Sequence, residues 1–455
     1  MQSLWMRFFA AALVLLAAVQ PAAAQSLLRD TETEREIRRM ITPILLAAEL
    51  EPDAVSLFLI SDQSINAFVA GGQNIFMHSG LILNATNVNQ VLGVLAHEAG
   101  HISGGHIVRF QDGARGASAI SIISMLLGAA AIAAGSPDAG IAIFGGGQQA
   151  ALRNFLAYSR VQESSADQAG AQFLDTAGIS GEGLIEFFET LQDQEFLLAV
   201  NQDPYVRSHP LTTDRIVRLR ERVQASPHYG KPPSPENEHA FQRIKAKLAG
   251  YIYHPRITLQ LYPESDTSLY ARYARVYAYD KALEWDKALG EAESLIAEFP
   301  DDPYFREIAG QILYENGRIE ESLPHLKRAK ELAPREPLIL TAYGQALAAL
   351  ETEEADAEAL AVLELAAALD PYNDSAWYHL ATIYSRHENE PLASLAAAER
   401  MALYGRHGQA AFHAKKAVDT LPVGSPKHLR AQDILLIAQS NIEETRGQRG
   451  RGRNR

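Results

Sequence analysis

The chain has 455 residues, 41 of them Lys or Arg and 55 Asp or Glu, for a formal net charge of −14. Apolar residues at 47% and charged residues at 21% are globular proportions that exclude wholesale disorder, and the acidic balance argues against a nucleic-acid partner, which requires a basic stripe. The length allows two to three domains, and with no cysteine in the chain any metal must be held by His and carboxylate.

Arg7 is the only charge before Arg29, and it stands ahead of the apolar run Phe8–Val19 and of Ala22-Ala23-Ala24. A basic start, an apolar stretch and an A-x-A end predict a secretory signal over residues 1–24, cleaved before Gln25. Asp30–Leu50 reads as a charged helical stretch and Val55–Ile60 as a strand. Asn66–Ala70 and Asn74–His78 flank Gly71-Gly72-Gln73, a hairpin pattern. From Asn87 the apolar spacing turns helical, with Asn87 as the cap and Gln90 in the capping-box position. That helix runs into His97-Glu98-Ala99-Gly100-His101.

Ala117–Ala134 carries no charge, but Ala and Ser make up more than half of it, a weak composition for a bilayer span. It is expected to pack on the domain or touch a membrane surface peripherally. Gln162–Leu174 is again helical in pattern. From about residue 265 helices alternate under fixed punctuation: Pro300 recurs as Pro334, and Pro303 recurs as Pro337 and Pro371, at one constant spacing. Prolines at one phase stop one helix and start the next. The spacing is that of the tetratricopeptide helix–turn–helix unit, about 34 residues. Three units are clear over about 270–371, with a looser continuation to about 440. The chain ends on arginines interleaved with Gly, from Arg446 to Arg455, a composition that reads as a solvated, disordered tail. The expected layout is therefore signal 1–24, catalytic domain 25–262, tetratricopeptide repeats 263–440 and basic tail 441–455.

His97 and His101 stand one helical turn apart on one face, so both imidazoles can reach one Zn²⁺. Glu98 lies beside the first of them, placed to take a proton from the attacking water and pass it to the leaving amine. A catalytic zinc needs a third protein ligand. His106 is out of register by one with the longer pattern in which a third histidine follows, and is not expected to be that ligand. Glu163 and Asp167, one turn apart on a later helix, are candidates for a ligand and for the partner that orients a ligand imidazole. On spacing alone, however, Glu163 reads more simply as a helix-surface carboxylate.

His97-Glu98-x-x-His101, then Ser159-Arg160-x-x-Glu163-x-x-Ala166-Asp167, then Ser208-His209-Pro210 with Arg215, together resemble the zinc metallopeptidases of the CAAX prenyl-protease and mitochondrial Oma family. Serines at 164 and 165 depart from that pattern, where charged or bulky residues are common. The resemblance covers roughly residues 35–225 and implies that His97, His101 and Glu163 bind zinc, that Glu98 is the base, and that His209 sits on a loop folded towards the metal. There it acts as a gate or fourth ligand. It also implies that the strand near Asn66–Ala70 is an edge to which an unfolded substrate can pair. The fold class expected is mainly α with a small β-sheet: an α+β zincin-type peptidase domain followed by an α-solenoid of repeats. With the leader and the repeats, the resemblance implies a periplasmic zinc endopeptidase that degrades or triages misassembled outer-membrane proteins. Its repeats would bind clients or the outer-membrane assembly machinery. The alternative is a chaperone or scaffold whose peptidase is latent.

Overall fold

The computed structural model describes residues 27–106, 149, 159–197 and 204–453. The leader and the uncharged Ala117–Ala134 stretch lie outside the described residues. Contacts divide the chain into two compact units: the described residues up to Arg29 with Ile37–Glu238, and Asp30–Glu36 with the chain from His239 on.

The first unit contains a four-stranded sheet, β1 (Leu27–Leu28), β2 (Ser56–Ile60), β3 (Ala67–Ala70) and β4 (Asn74–His78), in the order β1-β2-β4-β3. β3 and β4 form the hairpin expected from the sequence, with Gly71 and Gly72 at φ 60° and 101°, backbone that L side chains rarely adopt. Phe58, Phe68 and Phe76 stack across β2, β4 and β3, with ring centroids 5.0 and 5.2 Å apart. On the opposite face Ile75 and Met77 are fully buried. β1 and β3 are the two sheet edges.

The helices of this unit that bear on the site are α1 (Thr31–Ala47, from Ile37 on), α2 (Ser79–Asn84), α3 (Val88–Ser103), α4 (159–176), α5 (Glu182–Leu197), α6 (Pro204–Ser208) and α7 (Thr213–Gln224). α3 begins at the cap read from the sequence: Asn87 Oδ1 accepts from Gln90 N–H at 3.2 Å. The return bond differs from a capping box by one residue, because Gln90 Oε1 accepts from Thr86 N–H at 3.0 Å, not from the cap itself. Every residue of α3 from Val88 to His101 is buried. Its approach to α4 depends on bare positions: a Cβ on Gly100 would lie 2.8 Å from the Ala166 carbonyl oxygen, and one on Gly170 would lie 3.0 Å from the backbone at Ala96 and His97.

In the second unit, after α8 (Pro235–Ile252) and α9 (Pro255–Leu261), ten helices follow as five consecutive antiparallel-type hairpins. They are α10 (Leu269–Lys281) with α11 (Trp285–Glu298), α12 (Pro303–Glu315) with α13 (Ile319–Leu332), α14 (Pro337–Ala348) with α15 (Glu353–Leu369), α16 (Asp374–Arg386) with α17 (Glu390–Leu403), and α18 (His407–Thr420) with α19 (Pro426–Arg453). Pro303 and Pro337 each open a helix. The turns inside the hairpins repeat at the same period: Leu283, Gly317 and Glu351 have φ of 62°, 74° and 54°. Gly310 and Gly344, again one period apart, let Leu326 and Leu363 into the seam, where a Cβ would meet either leucine at 2.6 Å. The unit is an α-solenoid. α19 continues through the arginine-rich end, whose backbone is helical to Arg453 where the composition suggested a disordered tail; Arg and Gln are good helix formers. Asp30–Glu36 belongs to this unit: Glu32, 2% exposed, accepts from Tyr273 Oη at 2.7 Å and pairs with Arg243 and, at 3.2 Å, with Lys247. No helix among the described residues is long and apolar enough to cross a membrane.

Candidate metal centre

The helical spacing of His97 and His101 brings their Nε2 atoms within 3.0 Å of each other on the buried face of α3. The close approach of α4 through Gly100 and Gly170 then delivers Glu163, whose carboxylate oxygens lie 3.4 Å from His97 Nε2 and 3.5 Å from His101 Nε2. The fourth donor comes from the turn after α6. His209 Nδ1 is 3.3 Å from His97 Nε2 and 3.1 Å from Glu163 Oε2. One donor atom from each of the four buried residues lies within 4.8 Å of every other.

These separations can be compared with a tetrahedral zinc site. Ligand bonds of about 2.0–2.1 Å put tetrahedral ligand atoms about 3.3 Å apart; five of the six donor pairs, at 3.0–3.5 Å, bracket that value, and the whole set lies within 4.8 Å. The protonation chemistry agrees. Burial opposes charge on His97, but Asp167 and Glu163 beside it outweigh burial and hold its imidazolium up to about 10. Burial and the charge of His97 push His101 well below the ordinary imidazole value. Glu163 stays ionised against burial because His209 and His97 face it. Four buried donors thus converge where their mutual electrostatics favour positive charge, the setting a metal cation would require.

The surroundings fix these donors. Asp167, one turn along α4 and 1% exposed, places Oδ1 2.9 Å from His97 Nδ1, on the far side of the ring from the cluster. Arg215 at the start of α7, 3% exposed, donates to both Asp167 oxygens at 2.7 and 2.8 Å and to the Pro210 carbonyl at 2.7 Å, and lies 3.2 Å from Glu163 Oε2. One guanidinium therefore ties together the carboxylate in the cluster, the partner of His97 and the loop that carries His209. Tyr205 stacks on the His209 ring, centroids 4.7 Å apart and 27° between planes. Glu98 is fully buried, neither of its oxygens has a hydrogen-bond partner among the described residues, and burial raises its pKa. His209 Nε2 faces it at 3.5 Å.

All six sequence candidates, His97, Glu98, His101, Glu163, Asp167 and His209, are therefore brought into one place. His106, set aside as a ligand, lies outside the donor cluster: its Nδ1 is 3.0 Å from Nδ1 of His101, the outer nitrogen of that ring. The part played by Tyr205 had no signal in the sequence, since an aromatic one helical turn before a loop histidine is a common core pattern.

Paired helix histidines, a carboxylate from a later helix and a buried glutamate beside them form a donor set able to hold a metal ion. Residues 28–223 match the model for peptidase family M48, a metalloprotease family that uses zinc. Among curated relatives, the chain is 31% identical over 257 residues to a putative beta-barrel assembly-enhancing protease of Vibrio cholerae, covering 55% of this chain and 52% of that one. It is 25% identical over 380 residues to the beta-barrel assembly-enhancing protease of Escherichia coli, covering 82% of this chain and 76% of that one. The chain thus spans about half the length of the Vibrio relative. Among solved structures it is similar to YrrB, a TPR protein with an unusual peptide-binding site, at 23% identity and a TM-score of 0.32, covering 39% of this chain and 91% of that one.

Proposed function

We propose that this chain is a periplasmic zinc endopeptidase that degrades or triages misassembled outer-membrane proteins, with one zinc held by His97, His101 and Glu163. The observation that carries this reading is the convergence of those three donors beside Glu98, a fully buried carboxylate with no hydrogen-bond partner among the described residues. Zinc bound there supplies Lewis acidity, polarising a scissile carbonyl and acidifying water. Glu98, raised by burial, accepts a proton from the attacking water and returns it to the leaving amine. Asp167 holds the His97 ring with Nε2 turned to the cluster, and Arg215 holds Asp167.

His209 is the gate. With Nδ1 inside the donor cluster it completes the set that a substrate carbonyl would otherwise enter, which supports a peptidase that is latent until the loop moves. β3, an edge of the sheet, offers main-chain hydrogen bonds to an extended client, a mode that suits varied unfolded substrates. The outer-membrane assignment rests on the names of the Vibrio and Escherichia relatives and the periplasmic one on the leader. The solenoid is assigned to recruiting clients or assembly machinery, and the 117–134 stretch to peripheral membrane contact.

The test is zinc analysis and cleavage of an unfolded protein such as casein by the mature chain, with and without a chelator. Glu98→Gln should retain fold and zinc and lose cleavage. The position of His209 favours one second reading, a scaffold whose peptidase is held shut. Rescue by Glu98→Gln of cells lacking the protein would establish that reading in place of the first.

A further inference from the structure

An imidazole that offers Nε2 to a metal carries its remaining proton on Nδ1, and in a buried site that N–H needs an acceptor. For His97 the acceptor is Asp167. For His101 it is the nitrogen of a second histidine: His106 Nδ1 lies 3.0 Å away, the rings at 79° with centroids 5.0 Å apart, and His106 is only 5% exposed.

The chain after α3 is built to make this contact. Gly104 N–H and Gly105 N–H close the helix on the carbonyls of Gly100 and Ile102, both at 3.0 Å. Gly105 then turns the backbone at φ 63°, a conformation that favours glycine. A Cβ on Gly104 would sit 2.5 Å from His106 Nε2, so the ring occupies space that only a glycine leaves open. The same reversal that keeps His106 out of the donor cluster folds it onto the back of a donor.

We infer that His106 is a positioning residue for the metal centre: its Nδ1 accepts the His101 Nδ1 proton, fixing the tautomer and ring plane that present His101 Nε2 to zinc. A neutral imidazole does this without adding negative charge to a site that already holds Glu98, Glu163 and Asp167. The inference rests on the zinc reading given above.

The experiment is a zinc titration of the metal-stripped mature chain against a chromophoric chelator, with the thermal midpoint of each apo protein recorded in parallel. His106→Leu keeps comparable bulk and removes the acceptor. It should still take up one zinc at saturation, with Kd raised about 10–100-fold. His106→Asn places an amide Oδ1 near the position of Nδ1 and should return Kd to within about threefold of the wild type. Gly104→Ala leaves His106 in the sequence but displaces its ring, and should weaken zinc as His106→Leu does; it decides the matter if the leucine variant does not fold. Wild-type zinc affinity in His106→Leu, or an equal loss in His106→Leu and His106→Asn, overturns the inference. A wild-type chain that binds no zinc overturns the proposed function instead.

Discussion

Replacing Asp167 by Asn exchanges a buried carboxylate for an amide of nearly the same shape. In the wild type that carboxylate receives two bonds from Arg215, at 2.7 and 2.8 Å, and faces His97 Nδ1 at 2.9 Å, with Asp167 and Arg215 only 1% and 3% exposed. An exposed pair of this kind would contribute about 0–1 kcal/mol. Removing one partner of a buried pair costs about 3–5 kcal/mol, because the other charge stays buried. Arg215 keeps the Pro210 carbonyl and the nearby Glu163, so the lower end, about 3 kcal/mol, is expected. The assay is urea unfolding of the metal-free chain, following the transition of the peptidase unit, for both proteins from pH 3 to 8. The partners of Asp167 lower its folded pKa below the ordinary 3.8 despite burial. Its stabilisation is therefore complete above the unfolded value and lost as pH falls through the folded one. The gap between wild type and Asp167→Asn should be widest between about pH 4.5 and 6.5, close in acid below about pH 4, and narrow again as pH rises past about 6.5, where unfolded His97 releases the proton that Asp167 helps hold on it in the fold. Zinc affinity should fall about 10–100-fold in the same variant. A stability difference under about 1 kcal/mol at pH 7 with unchanged zinc affinity would refute the reasoning, since it would make the Asp167–Arg215 pair equivalent to a surface pair.

Two further outcomes follow from the same structure. His209→Ala should retain zinc and raise casein cleavage about tenfold or more, the size expected if the closed arrangement dominates by at least that factor; unchanged or lower activity rejects the gate. In the solenoid, burial pushes the Glu307 carboxyl up to about 8, with Lys247 opposing the shift and Asp30 and Glu32 adding to it. Its folded pKa lies above its unfolded value, so it opposes folding increasingly as pH rises from about 4.5 to 8. Glu307→Gln should therefore stabilise the solenoid at pH 8 by about 1–2 kcal/mol, less than the whole shift implies because the side chain is only half-buried, and the gain should vanish below pH 5; equal stability at pH 8 would contradict this.

Local patterns carried much of the fold. The i, i+4 spacing alone puts His97 and His101 on one face, Asn87 marks the start of their helix, and the glycine pair at 71–72 marks the hairpin. The proline phase marks the first repeats because Pro303 and Pro337 each stand at a helix start. It fades where helices begin at Asp374 or His407 instead, although the hairpins continue. What was not legible depends on contacts between distant segments. Glu163 reads as a surface carboxylate until α4 closes on α3 through Gly100 and Gly170, which no local pattern connects. The joining of Asp30–Glu36 to the solenoid follows from the pairing of buried Glu32 with buried Lys247 and the partly buried Arg243, which lie on opposite sides of the whole peptidase segment in the chain. The backward turn of His106 depends on two glycines whose meaning lies in φ and in the missing Cβ.

The central claim, one ion held by two imidazoles of α3 and a carboxylate of α4, is tested most directly by counting zinc in purified Glu163→Ala beside the wild type after identical reconstitution. The wild type should hold one zinc per chain and lose cleavage on chelation, while Glu163→Ala should hold almost none. A Glu163→Ala chain that keeps a full equivalent of tightly bound zinc, or a stripped wild type that still cleaves, would contradict it.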